Sequence, residues 1–169
     1  AELEPGRSIV GATYDGWLVA YERPSLDKGM GTLRGLWNAS LGGGFTFSLA
    51  VGDIDGNNAT REVIVGSASG EVTAFAASNG RTLFATSLPH AVYSLVVVDT
   101  RGDDHGVLVA GTANGTLAIF SSEGHVEQTW AFPSSAVRTL VAGRFIDGSK
   151  AQQLLIAAFP DDSTCHLQA

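Results

Sequence analysis

Three features of the 169-residue chain predict an all-β fold built from repeated antiparallel units. The chain aligns with itself at a spacing of about 45 residues. Glycine stands at 21 positions with no collagen period, so it marks turns. No segment keeps helical periodicity for more than about two turns. Hydrophobic residues make up 44% and charged residues 16%, enough apolar side chain to offset the entropy of ordering a core.

The units follow one another in order. "VGATYDGWLVAY" (Val10 to Tyr21) is matched by "VGSASGEVTAF" (Val65 to Phe75), by "AGTANGTLAIF" (Ala110 to Phe120) and by a degenerate "AAFPDDSTCHL" from Ala157. Ahead of the last three stand "SLAVGDIDG" from Ser48, "SLVVVDTRG" from Ser94 and "TLVAGRFIDG" from Thr139. Behind the first three come "LRGLWNASL", "RTLFATSLP" and "HVEQTWAFP", which place Trp37, Phe84 and Trp130 at corresponding positions.

Each unit thus reads as four short strands. The first is a buried strand such as "FTFSLAVGD". A polar loop and a continuous apolar strand such as "EVIVGS" follow, the pattern of a strand covered on both faces. A glycine turn leads into "VTAF" or "LAIF", whose alternation predicts one wet face. A second glycine turn leads into the fourth strand. Units of this size fit propeller blades, with boundaries near 9–47, 48–93, 94–138 and 139–169 in a single domain spanning 1–169. Trp37, Phe84 and Trp130 are expected to wedge between blades. The pattern opens on a second strand and closes on a third, about fourteen strands or three and a half blades. A ring must close, so part of a larger ring is expected.

The formal net charge is -7, and the cations are scattered. Nucleic acid is therefore excluded as an expected partner. No apolar run approaches the roughly 20 residues that span a bilayer, so no direct membrane insertion is expected. "AELEPGRSIVG" lacks the features of a signal peptide. The single cysteine, Cys165, reads as a small buried residue and suits a cytoplasmic complex. The sequons at Asn38, Asn58 and Asn114 suit a secreted or lumenal protein instead, and both compartments stay open.

Asp53, Asp55 and Asn57 have the i, i+2, i+4 oxygen spacing of a calcium loop, with Glu62 further on. Two readings stand: a weak calcium site, or a turn capped by its own Asp and Asn side chains. Asn58 replaces the usual glycine, and Arg101 and Arg144 break the pattern in the later copies. Beyond that cation no cofactor is expected. The histidines His90, His105, His125 and His166 have no zinc spacing, and no nucleophile elbow occurs. "RGD" at Arg101 belongs to the repeat loop. The insertion "ERPSLDKGMGTLRG" interrupts the first unit, and two readings stand: a surface loop without a role, or a partner contact through Glu22, Arg23, Asp27, Lys28, Met30 and Arg34.

The run "VGDIDGNNATREVIVGSASGEVTAF" followed by "NGRTLF" resembles FG-GAP and quinoprotein-type β-propeller repeats. The resemblance implies a propeller over nearly the whole chain. Polar loops presented on a rigid disc suit a non-catalytic scaffold that docks other protein subunits. The alternatives are a calcium-dependent adhesion module and a quinoprotein-type enzyme fragment.

Overall fold

The computed structural model describes residues 8–22, 33–42, 45–57 and 59–160, and the backbone of 166–168. Fourteen strands and no helix occur among the described residues. They are β1 Ser8–Ala12, β2 Trp17–Glu22, β3 Arg34–Ser40, β4 Thr46–Gly52, β5 Glu62–Ser67, β6 Glu71–Ala76 and β7 Thr82–Ser87. Then come β8 Val92–Val98, β9 Val107–Thr112, β10 Thr116–Phe120, β11 Val126–Ala131, β12 Ser135–Gly143, β13 Gln153–Pro160 and β14 His166–Gln168.

Sequence neighbours pair antiparallel into four sheets: β1–β3, β4–β7, β8–β11 and β12–β14. The first strands of successive sheets, β4, β8 and β12, pack against one another and form the inner edge. The outermost β11 is exposed along its whole length. By register, β1–β3 correspond to the second to fourth strands of the complete blades, and β12–β14 to the first three.

The hairpin between the second and third strand of each complete blade turns on a glycine. Gly70 and Gly115 have φ of 90° and 83°. A Cβ at Gly70 would collide with the Leu88 carbonyl, and one at Gly115 with those of Phe132 and Ser135. Glycine is therefore required both by conformation and by close backbone approach. The same contact is sealed by hydrogen bonds from Leu88 N to Gly70 O (2.9 Å) and from Phe132 N to Gly115 O (2.8 Å). Leu41 N to Gly16 O (2.8 Å) repeats it in the first blade.

Alternate residues of the second strands feed different interfaces, as the period of a strand dictates. On β5, Val63 and Val65 pack toward the first blade with Leu18 and Phe75, whereas Ile64 packs toward the third with Val92 and Leu108. On β9, Leu108 and Ala110 face the second blade, and Val109 faces the fourth with Val137 and Leu140. The core is thus three layers between four sheets.

Two expectations are corrected. The third strands β6 and β10 are buried on both faces and not half wet, because a blade lies on each side of them. β4 is less buried than expected: Phe47 and Val51 are exposed. Val97, the counterpart of Val51, fills the space that a Cβ at Gly52 of the preceding blade would enter. No strand of the first blade covers Val51 in that way among the described residues.

The wedge expectation holds for two of its three aromatics. Trp37 leaves the first blade, lies where a Cβ on Gly80 would be, and donates Nε1–H to Ala77 O at 2.8 Å. The Phe84 ring lies in the same way where a Cβ on Gly124 would be, one blade on, without a hydrogen bond. Trp130 is the third in the series and is half exposed. Replacing Trp37 by Ala is expected to cost about 3 kcal/mol of stability. Trp130→Ala should cost under about 1 kcal/mol in this chain. Urea unfolding of both variants checks the contrast.

Candidate functional site

Antiparallel order sorts the connections onto two faces. Loops following the first and third strands of each blade share one face. The hairpins after the second strands, and the crossings to the next blade, share the other. Asn114, in a hairpin after a second strand, lies on the other face, and Asp53, Asp55, Asn57 and Glu62 of the calcium-like loop lie on the first.

There the loop from Asp53 to Arg61 brings Asp53, Asp55 and Glu62 together, with carboxylate oxygens within 4.8 Å of one another. β4 delivers Asp53 and β5 begins at Glu62, so the strand pair fixes both ends of the cluster. Asp53 is 1% exposed and Glu62 2%, whereas Asp55 lies in the open. Asp53 Oδ1 accepts a hydrogen bond from Gly56 N (2.7 Å), and Glu62 Oε2 accepts one from Ile54 N (2.9 Å). Asp55 Oδ1 accepts from Asn57 N (2.8 Å). Asn57 uses its own oxygen on Ala59 N at 3.4 Å and so serves the turn. Burial pushes the Glu62 carboxyl above its usual range; the Ile54 N–H opposes this, and the charges of Asp55 and Asp53 add to it.

The cluster sits on a seam between blades. Gly106 N donates to Asp53 O (2.8 Å), and a Cβ on Gly56 would meet the ring of His105. The equivalent contact one blade on joins Gln152 N to Asp99 O at 2.6 Å.

Asp99 is the counterpart of Asp53 in the third blade, but its loop closes on itself. Oδ1 accepts from Arg101, Gly102 and Asp103 N, and Oδ2 from Asp104 N at 3.0 Å. Asp104 reaches it with φ of 65°, a left-handed conformation that Asp tolerates. Burial raises the Asp99 carboxyl, but the four N–H groups outweigh it and hold it below 3.8.

Of the insertion, Glu22 and Arg34 form an exposed ion pair at 3.0 Å across the ends of β2 and β3. Arg23, Asp27, Lys28 and Met30 lie outside the described residues, as do Asn58 and Cys165. Asn114 occupies an exposed turn. Asn38 is exposed but lies within β3, opposite Val19, and not in a turn.

The other face carries a feature that no sequence motif marks. Tyr14 and Phe45 meet at a tilt with ring centroids 4.7 Å apart, and Phe47 and Tyr93 with centroids 5.5 Å apart. The guanidinium of Arg138 lies 5.0 Å from the Tyr93 ring centre. Tyr14 is 84% exposed and Phe47 51%. Residues 12–14 and 45–47 line a surface cavity of about 270 Å³. Phe47, Tyr93 and Arg138 occupy one repeat position, each immediately before Ser48, Ser94 or Thr139. A large side chain recurring there was the available signal.

Sheets of four antiparallel strands stacked through their faces, with first strands gathered inside, define a β-propeller. Residues 49–147, more than half of the chain, match the family model described as LRRK2 beta propeller, and the chain belongs to this β-propeller family. No curated protein matches it. BamB from Moraxella catarrhalis has a similar structure, with a TM-score of 0.60 at 14% identity over 94% of this chain and 41% of that one. Saccharomyces cerevisiae Sqt1 matches at 0.66 and 14% identity, over 91% of this chain and 38% of that one. BBS1N, solved in complex with ARL6DN, matches at 0.67 and 18% identity, over 99% of this chain and 50% of that one. The chain spans half or less of the length of these structures.

Asp99→Asn is expected to lower the melting temperature at pH 7 by about 2–4 °C, since one net hydrogen bond is worth about 1 kcal/mol. The stabilisation by ionised Asp99 is complete above its unfolded value of 3.8 and is lost as pH falls through the lower native value. The deficit of the variant should therefore narrow in acid. Thermal unfolding from pH 7 to pH 2.5 checks it.

Proposed function

We propose that the chain is a non-catalytic propeller scaffold that docks a protein partner on the rim formed by Tyr14, Phe45, Phe47, Tyr93 and Arg138. The exposed aromatic row is the observation that supports this reading. Contiguous apolar surface of this kind marks interaction sites on folded proteins. Tyr and Arg are enriched among the residues that dominate binding energy, and rigid aromatics present large area at small entropic cost. Inner strands hold the row in place: Phe47 stands on β4, Tyr93 on β8 and Arg138 on β12. The partner surface it suits is an apolar protein segment that fills the cavity beside Tyr14 and carries an acceptor for Arg138.

A neighbour in fold, BBS1N, was solved bound to another protein, which is consistent with a docking role for propellers of this shape. The test uses a photo-crosslinking residue placed at Phe47 or Tyr93 of the protein in its own cell. One recurrent polypeptide should be captured from both positions and lost when Tyr14→Ser is added. A crosslinker at Gln128, on the exposed outer strand β11, should not capture it. The same adducts from Gln128 as from the rim would contradict the assignment.

A further inference from the structure

The three carboxylates at the seam of the second and third blades are not accounted for by docking on the opposite face. We propose that Asp53, Asp55 and Glu62 hold a divalent cation of the calcium class.

The first argument is an orphaned atom. Asp53 is 1% exposed, and its Oδ2 is buried without a hydrogen-bond partner. A buried carboxylate oxygen without a donor loses its hydration and gains nothing in return, so such groups are paired or coordinate metals. Asp55 and Glu62 likewise each commit one oxygen to a backbone N–H, at Asn57 and Ile54. Their second oxygens have no protein partner among the described residues. No Lys or Arg forms an ion pair with the three there either, although Arg61 adjoins Glu62 in sequence and its charge acts favourably on it.

The second argument is the neighbouring blade. Asp99 holds the position of Asp53, but Arg101 and Val107 stand where Asp55 and Glu62 stand in the second blade. In that loop both oxygens of Asp99 are satisfied by four N–H groups. The same backbone motif therefore has a self-sufficient form. The second blade departs from it by adding two carboxylates beside an unsatisfied third.

The chemistry of the donors selects the ion. The cluster has only carboxylate oxygens, which suit hard cations over zinc or copper. Oxygens sharing one calcium at about 2.3–2.6 Å lie within about 5 Å of each other, and these lie within 4.8 Å. Three protein carboxylates leave room for water or backbone carbonyls to complete six to eight ligands. Asp55 is exposed and opens the site to solvent.

The test is thermal unfolding of the full chain in calcium-buffered solution, with calorimetry for affinity. Calcium at about a hundredfold excess over Kd should raise the melting temperature by about 5–10 °C. Glu62→Gln keeps an acceptor for Ile54 N and removes one charge. It should abolish most of the calcium shift without lowering the melting temperature in chelator. Asp55→Asn, at an exposed position, should weaken binding at least tenfold with the fold intact. Asp103→Asn in the self-sufficient loop should leave the shift unchanged. Absence of a shift up to millimolar calcium overturns the proposal, as does a shift that Glu62→Gln and Asp55→Asn both retain. A magnesium shift as large as that of calcium at equal concentration overturns the choice of ion.

Discussion

The structure depends on the burial of the middle strands of each blade from both sides. β5 has five consecutive buried residues, and β9 ends in five. A strand with one solvated face could not carry such a run. Because side chains alternate, a single strand contributes to two separate apolar layers, and each layer joins residues far apart in sequence. The consequence is that no blade is stable by its own contacts. Val63 requires Leu18 from the blade before, and Ile64 requires Leu108 from the blade after.

Around these layers polar groups also tie each blade to the next, the side-chain bonds from different repeat positions and the backbone bonds from equivalent ones. Trp37 Nε1 reaches Ala77 O, and Thr86 Oγ1 reaches Gly124 O at 2.6 Å, one blade later. Asp53 O and Asp99 O accept equivalent bonds from the following blade. These bonds satisfy carbonyls that the packing removes from water, and they fix the stagger of one sheet on the next. A rigid stagger brings Phe47, Tyr93 and Arg138 side by side on one face and sets Asp53 against the third blade on the other.

Much of this was legible in the sequence because it is written locally. Glycine turns at Gly70 and Gly115, strand lengths and the fourteen-strand count follow from motifs within a few residues. The correspondence of Trp37 with Phe84 was legible from the repeat. The wet face assigned to "VTAF" failed because alternation cannot distinguish water from a second blade on the far side. The exposure of Val51 and Trp130 depends on which neighbours are present, a property of the assembly and not of the strand. The gathering of Asp53, Asp55 and Glu62 was visible as a spacing. The orphaned Oδ2 of Asp53 was not, since it depends on how the loop closes. The rim aromatics escaped because no motif marks them; they share a repeat position but not a residue type.

The most direct measure of the central claim is residue-resolved amide hydrogen exchange in the native chain. If burial from two sides sustains the fold, amides of β5, β6, β9 and β10 exchange last and together, near the free energy of global unfolding. Those of the exposed outer strand β11 should open earlier. Equal protection of β9 and β11, or independent opening of the second and third sheets, would contradict it.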